Sequence, residues 1–269
     1  MVYELDEDTA LSNASAGLWV GVMTDRWMIG GGPNGGYIAT FLIRAMREES
    51  VQPDPLTMTT HFLTRPEPGR IDVEVTVLHE AGAHAFLQAN LSQMGQIRAI
   101  SLATFGRLRP DEIRSTQATM PEAADPDTAA TRPLPPGLTA GPAASFLDRF
   151  DHREASGELS SLWHGVPGRA EVGGWTRLSD GRPMDALAVP LLMDAYPPAM
   201  FATFQGGMAP TVELTVHWRD RPGPEWQLLR FSSRFLQSGY TEEDGEMWST
   251  DGRLVAQSRQ LARFRTPPT

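Results

Sequence analysis

A carboxylate and an amide lie on two strand-like segments in the C-terminal part of the chain. Glu213 belongs to VELTVHW, in which polar and apolar residues alternate, and Gln260 belongs to QSRQLARF. A carboxylate can take a proton from water as a general base, and a neutral amide can hold that water or a carbonyl oxygen. We expect Glu213 to face Gln260 across neighbouring strands and to act with it in catalysis. The alternative is that each residue faces solvent on an amphipathic strand.

The sequence lacks the residues for several other mechanisms. It contains no cysteine, which excludes a thiolate nucleophile, a disulfide and a Cys-ligated zinc. A GxSxG motif, which carries the nucleophile of many serine hydrolases, is also absent. The six histidines show no HExxH-like ligand spacing, so we expect neither a bound metal nor a cofactor.

The segment Asn34-Gly35-Gly36 directly precedes an apolar helical pattern. Backbone N–H groups at a helix start can hold an oxyanion, and glycines let a ligand approach them. Asn34 is also a good helix cap, so a purely structural role is equally consistent with the pattern. If the two halves of the chain pack as a pseudo-dimer, this helix start could meet Glu213.

Asp194 is a charge within the second predicted helix, which is otherwise apolar. Burial of a carboxylate without a partner is costly. Asp194 should therefore either form hydrogen bonds near the site or lie at the exposed end of the helix. We include it with Asn34, Gly35 and Gly36 as a candidate substrate-binding residue.

A proline-rich segment divides the chain into two parts of similar length. Residues 116–145 contain six prolines among Ala, Thr, Asp and Gly, a composition that favours neither a helix nor an inner strand. The predicted organisation is an N-terminal domain over 1–115, a linker over 116–145 and a C-terminal domain over 146–269.

The two parts contain a repeat. THFLTRPEP in the first half matches VHWRDRPGP in the second at a fixed offset, which aligns His61 with His217 and Arg65 with Arg221. Thr59 aligns with Thr215 one step earlier. Because His61 and His217 occur in both halves, we expect them to be structural. A repeat longer than a hundred residues indicates duplication of a domain rather than a solenoid.

Each half has the same predicted order of elements. A first strand is followed by a largely apolar helix, over 37–46 in the first half and 183–196 in the second, and then by four strands. The strands are predicted at about 57–64, 70–79, 84–93, 96–106, 210–219, 225–237, 239–249 and 253–265. A helix that is apolar on most sides must be buried. The sequence therefore predicts an α+β fold of two antiparallel sheets, each wrapped around a buried helix, which is the double hotdog arrangement.

Outside the linker, the chain resembles the TesB-like acyl-CoA thioesterase II family, whose members are double hotdogs. The resemblance rests on GGPNGGYIATFLIRAM, HFLTRPEPG and ISLATFG in the first half. In the second half it rests on DAYPPAMF, PTVELTVHWRDRP and EDGEMWSTDGRLVAQSRQLARF. It implies hydrolysis of an acyl-CoA to a free acid and CoA.

The resemblance also implies site residues. The family uses an Asp, a Gln and a Thr or Ser of the second hotdog to position water. By order along the strands, these positions fall on Glu213, on Gln260, and on or beside Arg234, with Ser233 next to it. Only the glutamine is unchanged. We therefore expect Glu213, Gln260 and Ser233 to be catalytic.

Two other functions compete with hydrolysis. A non-catalytic acyl-CoA or lipid-binding protein would explain the altered Asp and hydroxyl positions. A hotdog dehydratase or hydratase usually needs a histidine near the central helix, and neither predicted helix contains one.

The charge and the apolar runs indicate the kind of partner and compartment. The formal net charge of −10 argues against broad nucleic-acid binding. The apolar runs are too short to span a membrane, and the N-terminus lacks a signal pattern, so we expect a cytoplasmic protein. By analogy with hotdog proteins, whose exposed sheet edges often pair between subunits, we expect that the chain can self-associate. The resemblance also implies that an acyl-CoA is the ligand.

Overall fold

The computed structural model describes residues 2–109, 112, 117–132, 142–155, 159, 162, 169–204 and 207–265. Residues 116 and 133–141 of the predicted linker lie outside these residues. Within the described part of the linker, Met120 and Ala123 pack against a small tryptophan cluster of the second half.

The first half contains one long buried helix. A short helix, α1, spans Glu4–Asp8, and the long helix, α2, spans Gly35–Glu49. The strands are β1 Leu11–Ser15, β2 Leu18–Met23, β3 Met28–Ile29, β4 Gly32–Pro33, β5 Asp54–Phe62, β6 Gly69–Ala81, β7 His84–Gln93 and β8 Gln96–Gly106. Helix α2 contacts β5, β6, β7 and β8, and its residues from Gly36 to Ile43 are buried. The predicted buried helix is thus present in this half, and it extends beyond the predicted apolar segment 37–46 at both ends.

The second half has the same order of strands but a much shorter helix. Its strands are β9 Phe150–Arg153, β10 Glu171–Leu178, β11 Thr211–Trp218, β12 Gln227–Ser232, β13 Leu236–Gln237, β14 Tyr240–Ser249 and β15 Leu254–Arg263. Helix α3 spans only Val189–Leu192, whereas the sequence predicted a helix over 183–196 that Pro190 kinks or interrupts. Pro183 and Pro190 lack the N–H groups that would continue a helix, and Asp185 instead accepts bonds from the N–H groups of Leu187 and Ala188 in a turn.

Apart from the short β3–β4 pair, the described strands of both halves belong to one large sheet. Strands β5 and β11 pair antiparallel, which joins the sheets of the two halves into a 13-stranded sheet in the order β1-β2-β6-β7-β8-β5-β11-β15-β14-β12-β10-β9, with β13 paired to β14. The prediction of two antiparallel sheets, each wrapped around a buried helix, is therefore not confirmed, because one large sheet runs through both halves. The antiparallel α+β architecture with a buried helix in the first half remains.

The register at this junction reflects the repeat. Thr59 lies directly opposite Thr215, the residue with which it aligns in the repeat, and their hydroxyl groups are 2.8 Å apart. His61 lies opposite Glu213, and Thr57 lies opposite His217. Equivalent residues therefore exchange places about the Thr59–Thr215 pair, as they do about the two-fold axis of a homodimer.

The helices of the two halves touch at Gly36. A Cβ atom placed on Gly36 would lie 2.4 Å from the Pro190 carbonyl oxygen and 2.8 Å from Leu191 Cα. Only a residue without a side chain permits this approach of α2 to α3. The contact sets the first turn of α2 against the chain that leads to Asp194.

Candidate active site

The start of α2 meets a carboxylate of the other half. Asn34 Oδ1 accepts a bond from the Tyr37 N–H at 3.0 Å and so caps the helix. The Asn34 amide nitrogen donates to the backbone oxygen and to Oδ2 of Asp194, both at 2.9 Å. The Gly36 N–H donates to the same Oδ2 at 3.0 Å. Gly35 also lies near this carboxylate, since a Cβ placed on it would be 2.9 Å from Asp194 Oδ2. The four predicted substrate-binding residues are therefore adjacent.

The Asp194 carboxyl group is poised to exchange a proton near neutral pH. Burial raises the pKa of Asp194 to about 6, although hydrogen bonds from Gly36 and Asn34 favour the charged form and oppose this rise. Asp194 as a whole residue is only partly buried. A carboxylate with such a pKa is suited to general-base catalysis.

Gln260 is held in a second, deeper group of polar side chains. Its amide nitrogen donates to Glu243 Oε1 at 2.8 Å, and its amide oxygen accepts from the Thr211 hydroxyl at 3.0 Å. Glu243 lies opposite Gln260 on the neighbouring strand β14, and both side chains are buried. The Ala199 N–H donates to the other Glu243 oxygen.

The environment of Glu243 favours its neutral form. Burial raises the pKa of Glu243 to about 8, and the Asp194 charge adds to the rise, against the opposing effect of bonds from Ala199 and Gln260. The Asp194 carboxylate is thus near enough to Glu243 to contribute to the rise of its pKa. With pKa values of about 6 and about 8, Asp194 is mainly ionised and Glu243 mainly protonated at pH 7.

Glu213 does not face Gln260. Leu214, not Glu213, lies directly opposite Gln260, so Glu213 points to the other side of the sheet with Leu261 as its register partner. The Glu213 carboxylate accepts a bond from the Thr215 hydroxyl at 2.6 Å. The expected pairing of Glu213 with Gln260 is therefore wrong, and Asp194 takes the position at the start of α2 that we expected for Glu213.

The predicted hydroxyl residue is also displaced from Gln260. The Ser233 hydroxyl lies 2.8 Å from the Thr241 hydroxyl, and Thr241 is two residues before Glu243 on the same strand. Arg234 is exposed and pairs with Glu242 and Asp244. The hydroxyl that contacts the Gln260 amide belongs to Thr211.

The sequence pattern did not predict Glu243 and Thr211 as site residues, because side chains do not alternate regularly between the two faces along the whole of these strands. The register of β11 shifts between Thr211 and Glu213, and this bulge turns Thr211 to the side of Gln260. Glu243 sits in the acidic run Glu242-Glu243-Asp244, which is typical of a solvated strand. A strict count from Gln260 across the β14–β15 hairpin leads to Glu242, because the register of this pair also shifts, between Met247 and Trp248. The sequence therefore held no simple signal for Glu243.

The described part of the chain was compared with the requirements of a metal site and of a membrane-spanning helix. There, no group of three or more His, Asp or Glu side chains is arranged to hold a metal ion. No helix among the described residues is long and apolar enough to cross a membrane.

Solved structures with the same architecture define the class of protein. A protein with a hotdog fold from Alicyclobacillus acidocaldarius superposes with a TM-score of 0.88 at 22% identity, covering 100% of each chain. A chain described as a thioesterase II from Thermobifida fusca superposes with a TM-score of 0.88 at 28% identity, covering 96% of this chain and 98% of that one. The acyl-CoA thioesterase II TesB2 of Mycobacterium marinum gives a TM-score of 0.71 at 20% identity, covering 98% of both. The fold is that of the hotdog thioesterases.

Family models define the relationship more narrowly. Residues 23–106 match the acyl-CoA thioesterase N-terminal domain, and residues 121–264 match the acyl-CoA thioesterase C-terminal domain. The chain therefore belongs to the acyl-CoA thioesterase family, which confirms the resemblance drawn from its motifs. An uncharacterized protein of Mycobacterium tuberculosis is 26% identical over 276 residues, covering 96% of this chain and 94% of that protein.

Proposed function

We propose that the protein hydrolyses an acyl-CoA to a carboxylic acid and CoA at the Asp194–Glu243–Gln260 site. The observation that carries the proposal is the Asp194 carboxylate, which one half of the chain presents to the helix start of the other half, beside a buried Glu243–Gln260 pair. Membership of the acyl-CoA thioesterase family supports the choice of a thioester as substrate.

Each residue has a distinct task in this scheme. Ionised Asp194 removes a proton from water as the water oxygen attacks the thioester carbonyl carbon. The second N–H of the Gln260 amide donates to the carbonyl oxygen as negative charge develops there. The C–S bond then breaks, and the proton held by Asp194 passes to the departing sulfur to give CoA–SH. Neutral Glu243 holds the Gln260 amide without adding a second charge that would repel the oxyanion.

Two alanine variants compare the contribution of Gln260 to catalysis with that of Glu213. Gln260→Ala removes an oxyanion donor, and we expect kcat/KM for acyl-CoA hydrolysis to fall by about a hundredfold. Glu213→Ala should leave kcat/KM within about twofold of the wild type, because Glu213 points to the opposite side of the sheet. Thiol release from a panel of acyl-CoAs measures both. Loss of turnover in Glu213→Ala with retention in Gln260→Ala would overturn the assignment.

The pH dependence follows from the two carboxyl groups. Asp194, whose pKa is about 6, must be ionised to accept a proton, so kcat/KM should rise as the pH increases through about 6. Glu243, whose pKa is about 8, must stay neutral, so kcat/KM should fall above about 8. Because both pKa values are raised above those of an unfolded chain, ionising these groups should also lower the free energy of unfolding as the pH rises toward 8. Glu243→Gln should remove the alkaline limb and keep the acid limb; a profile unchanged by this substitution would exclude Glu243 from the site.

A non-catalytic acyl-CoA-binding protein is the second candidate. It is favoured by the Gly36 N–H, which donates to Asp194 of the same chain rather than lying open to a thioester oxygen. Binding of acyl-CoAs without thiol release across the panel and across pH 5 to about 9 would select this function.

A further inference from the structure

Arg65 lies across the glycine turn that leads into α2. Its guanidinium donates to the Gly31 carbonyl oxygen at 3.0 Å. A Cβ placed on Gly32 would lie 2.5 Å from both Cδ and Nε of Arg65, so the lack of a side chain there makes room for the arginine. Gly30 and Gly31 have φ values of 57° and 81°, a backbone conformation that favours glycine. The turn therefore holds the guanidinium at the surface, where Arg65 is exposed.

The Arg65 guanidinium lies close to the proposed catalytic residues. A Cβ on Gly35 would lie 3.1 Å from Phe62 Cζ and 2.9 Å from Asp194 Oδ2, so the Phe62 ring and the Asp194 carboxylate both border Gly35. Arg65 follows Phe62 by three residues, and Gly32, against which it packs, precedes Gly35 by three. Since three residues span at most about 11 Å, the guanidinium is on the order of 10 Å from the Asp194 carboxylate. Phe62, Gly35 and Asp194 are only partly buried, so this route runs along the surface.

The equivalent arginine of the second half is neutralised, whereas Arg65 is not. Arg221, which aligns with Arg65 in the repeat, donates to both oxygens of the Asp54 carboxylate at 3.1–3.2 Å. At the same offset, the residue that corresponds to Asp54 is Pro210, which has no charge. No carboxylate among the described residues lies within ion-pair distance of Arg65. The first half therefore presents an uncompensated positive charge beside Asp194.

A coenzyme A thioester carries negative charge at a limited reach from its reacting carbon. The pantetheine arm joins the sulfur to the diphosphate through about thirteen bonds, which extend to about 15 Å at the spacing of an extended polypeptide. A planar guanidinium binds phosphate oxygens through two parallel N–H bonds, and such a local positive charge can oppose the net charge of −10. With the thioester at Asp194, a diphosphate is within reach of Arg65.

We propose that Arg65, held on the Gly31–Gly32 backbone, binds the diphosphate of the coenzyme A moiety. This proposal rests on the proposed function, since it assigns the position of the non-reacting end of that substrate. Arg65 does not contact the reacting atoms, so its loss should act on KM rather than on kcat. The 3′-phosphate is attached beyond the diphosphate and the ribose, farther from the thioester than Arg65, and takes no part in this contact.

Thioesters that differ only beyond the pantetheine arm test the role of Arg65. The probes are the acyl-CoA that the wild type hydrolyses best, and the acyl-dephospho-CoA and acyl-pantetheine with the same acyl group. We expect Arg65→Ala to raise KM about tenfold for the first two, which both carry the diphosphate, and to leave kcat within about twofold. For acyl-pantetheine, which has no phosphate, KM and kcat should both stay within about twofold of the wild type.

Arg47→Ala is the matched control. Arg47 is a partly exposed arginine in the last turn of α2, where it pairs with Glu48. It lies about 18 Å along the helix from Gly35, too far for a diphosphate whose thioester is at Asp194. All three KM values should therefore stay within about twofold of the wild type in this variant.

The outcomes separate this proposal from the proposed function. An unchanged KM for acyl-CoA in Arg65→Ala, or equal losses for acyl-CoA and acyl-pantetheine, would overturn the role of Arg65 while leaving hydrolysis intact. An effect that disappears with acyl-dephospho-CoA would overturn the diphosphate contact. If the wild type releases no thiol from any acyl-CoA, hydrolysis fails, and calorimetry measures the dissociation constant of CoA itself. A constant about tenfold weaker in Arg65→Ala then supports the proposal, and an unchanged constant or no binding by the wild type overturns it.

Discussion

Asp194→Asn is expected to lower kcat/KM for acyl-CoA hydrolysis by about a thousandfold, within the range typical of losing a general base. The substitution keeps the size of the side chain and an oxygen that can accept from the Gly36 N–H, but it removes the group that takes the proton. The Asn34 amide nitrogen, which donates to Asp194 Oδ2 in the native protein, can still donate to the backbone oxygen of residue 194. The loss should therefore appear in kcat more than in KM.

The measurement for Asp194→Asn is steady-state thiol release together with a thermal unfolding curve. Glu213→Gln is the matched control, because it is also a carboxylate-to-amide change but lies on the other side of the sheet. A melting temperature close to that of the wild type, with activity lost only in Asp194→Asn, is the expected result. Full activity in Asp194→Asn would show that the bond to Gly36 serves only to join the two halves.

Gly36→Ala should destabilise the protein by about 2 kcal/mol or more. An alanine in place of glycine within a helix usually stabilises it by up to about 1 kcal/mol. At this position the new Cβ would lie 2.4 Å from the Pro190 carbonyl oxygen and 2.8 Å from Leu191 Cα. Both are backbone atoms, so no side-chain rotation relieves the overlap, and α2 must move away from α3.

Urea or thermal unfolding of Gly36→Ala gives the measurement, and Gly223→Ala is the control. A Cβ on Gly223 would meet only the Gln227 side-chain amide, at 3.8 Å, an ordinary contact. We expect Gly223→Ala to unfold like the wild type and Gly36→Ala to unfold several degrees lower. Because Gly36 also donates to Asp194, the folded Gly36→Ala protein should be less active as well. Equal stability of the two variants would mean that the helices do not touch at Gly36.

The repeated motifs allowed most of the fold to be predicted from the sequence. The apolar pattern from Tyr37 to Met46 placed α2, and the alternating segments placed the strands of both halves within a few residues. The match of Thr59 with Thr215 predicted a duplication, and the two residues lie opposite each other at its centre. The extent of the second helix was not predictable from apolar spacing alone, because Asp185 and Pro190 favour a turn and a single helical turn there.

The candidate site was predicted only in part, for reasons that lie in strand geometry. Asn34, Gly36 and Asp194 were chosen from their types and places and prove to be in contact. Glu213 was chosen by its order along the strand, but side chains alternate between the two faces, and a shift of one position reverses the face. The bulge before Glu213 brings Thr211 to Gln260 instead. Contacts between distant segments, such as Glu243 with the Ala199 N–H, have no signature in local sequence.

Exchange of equivalent residues about Thr59 and Thr215 has a consequence for how this protein can evolve. In an assembly of two identical chains, every mutation alters both copies of a site. Covalent fusion removes that constraint, so one copy of a position can change while the other is preserved. Gln260 lies opposite Leu214, and Met58, which aligns with Leu214 in the repeat, lies opposite Ala103. The second copy therefore carries an amide where the first copy carries an alanine. The first copy is thereby free to specialise as a scaffold that supplies the start of α2. The second copy is free to acquire new chemistry.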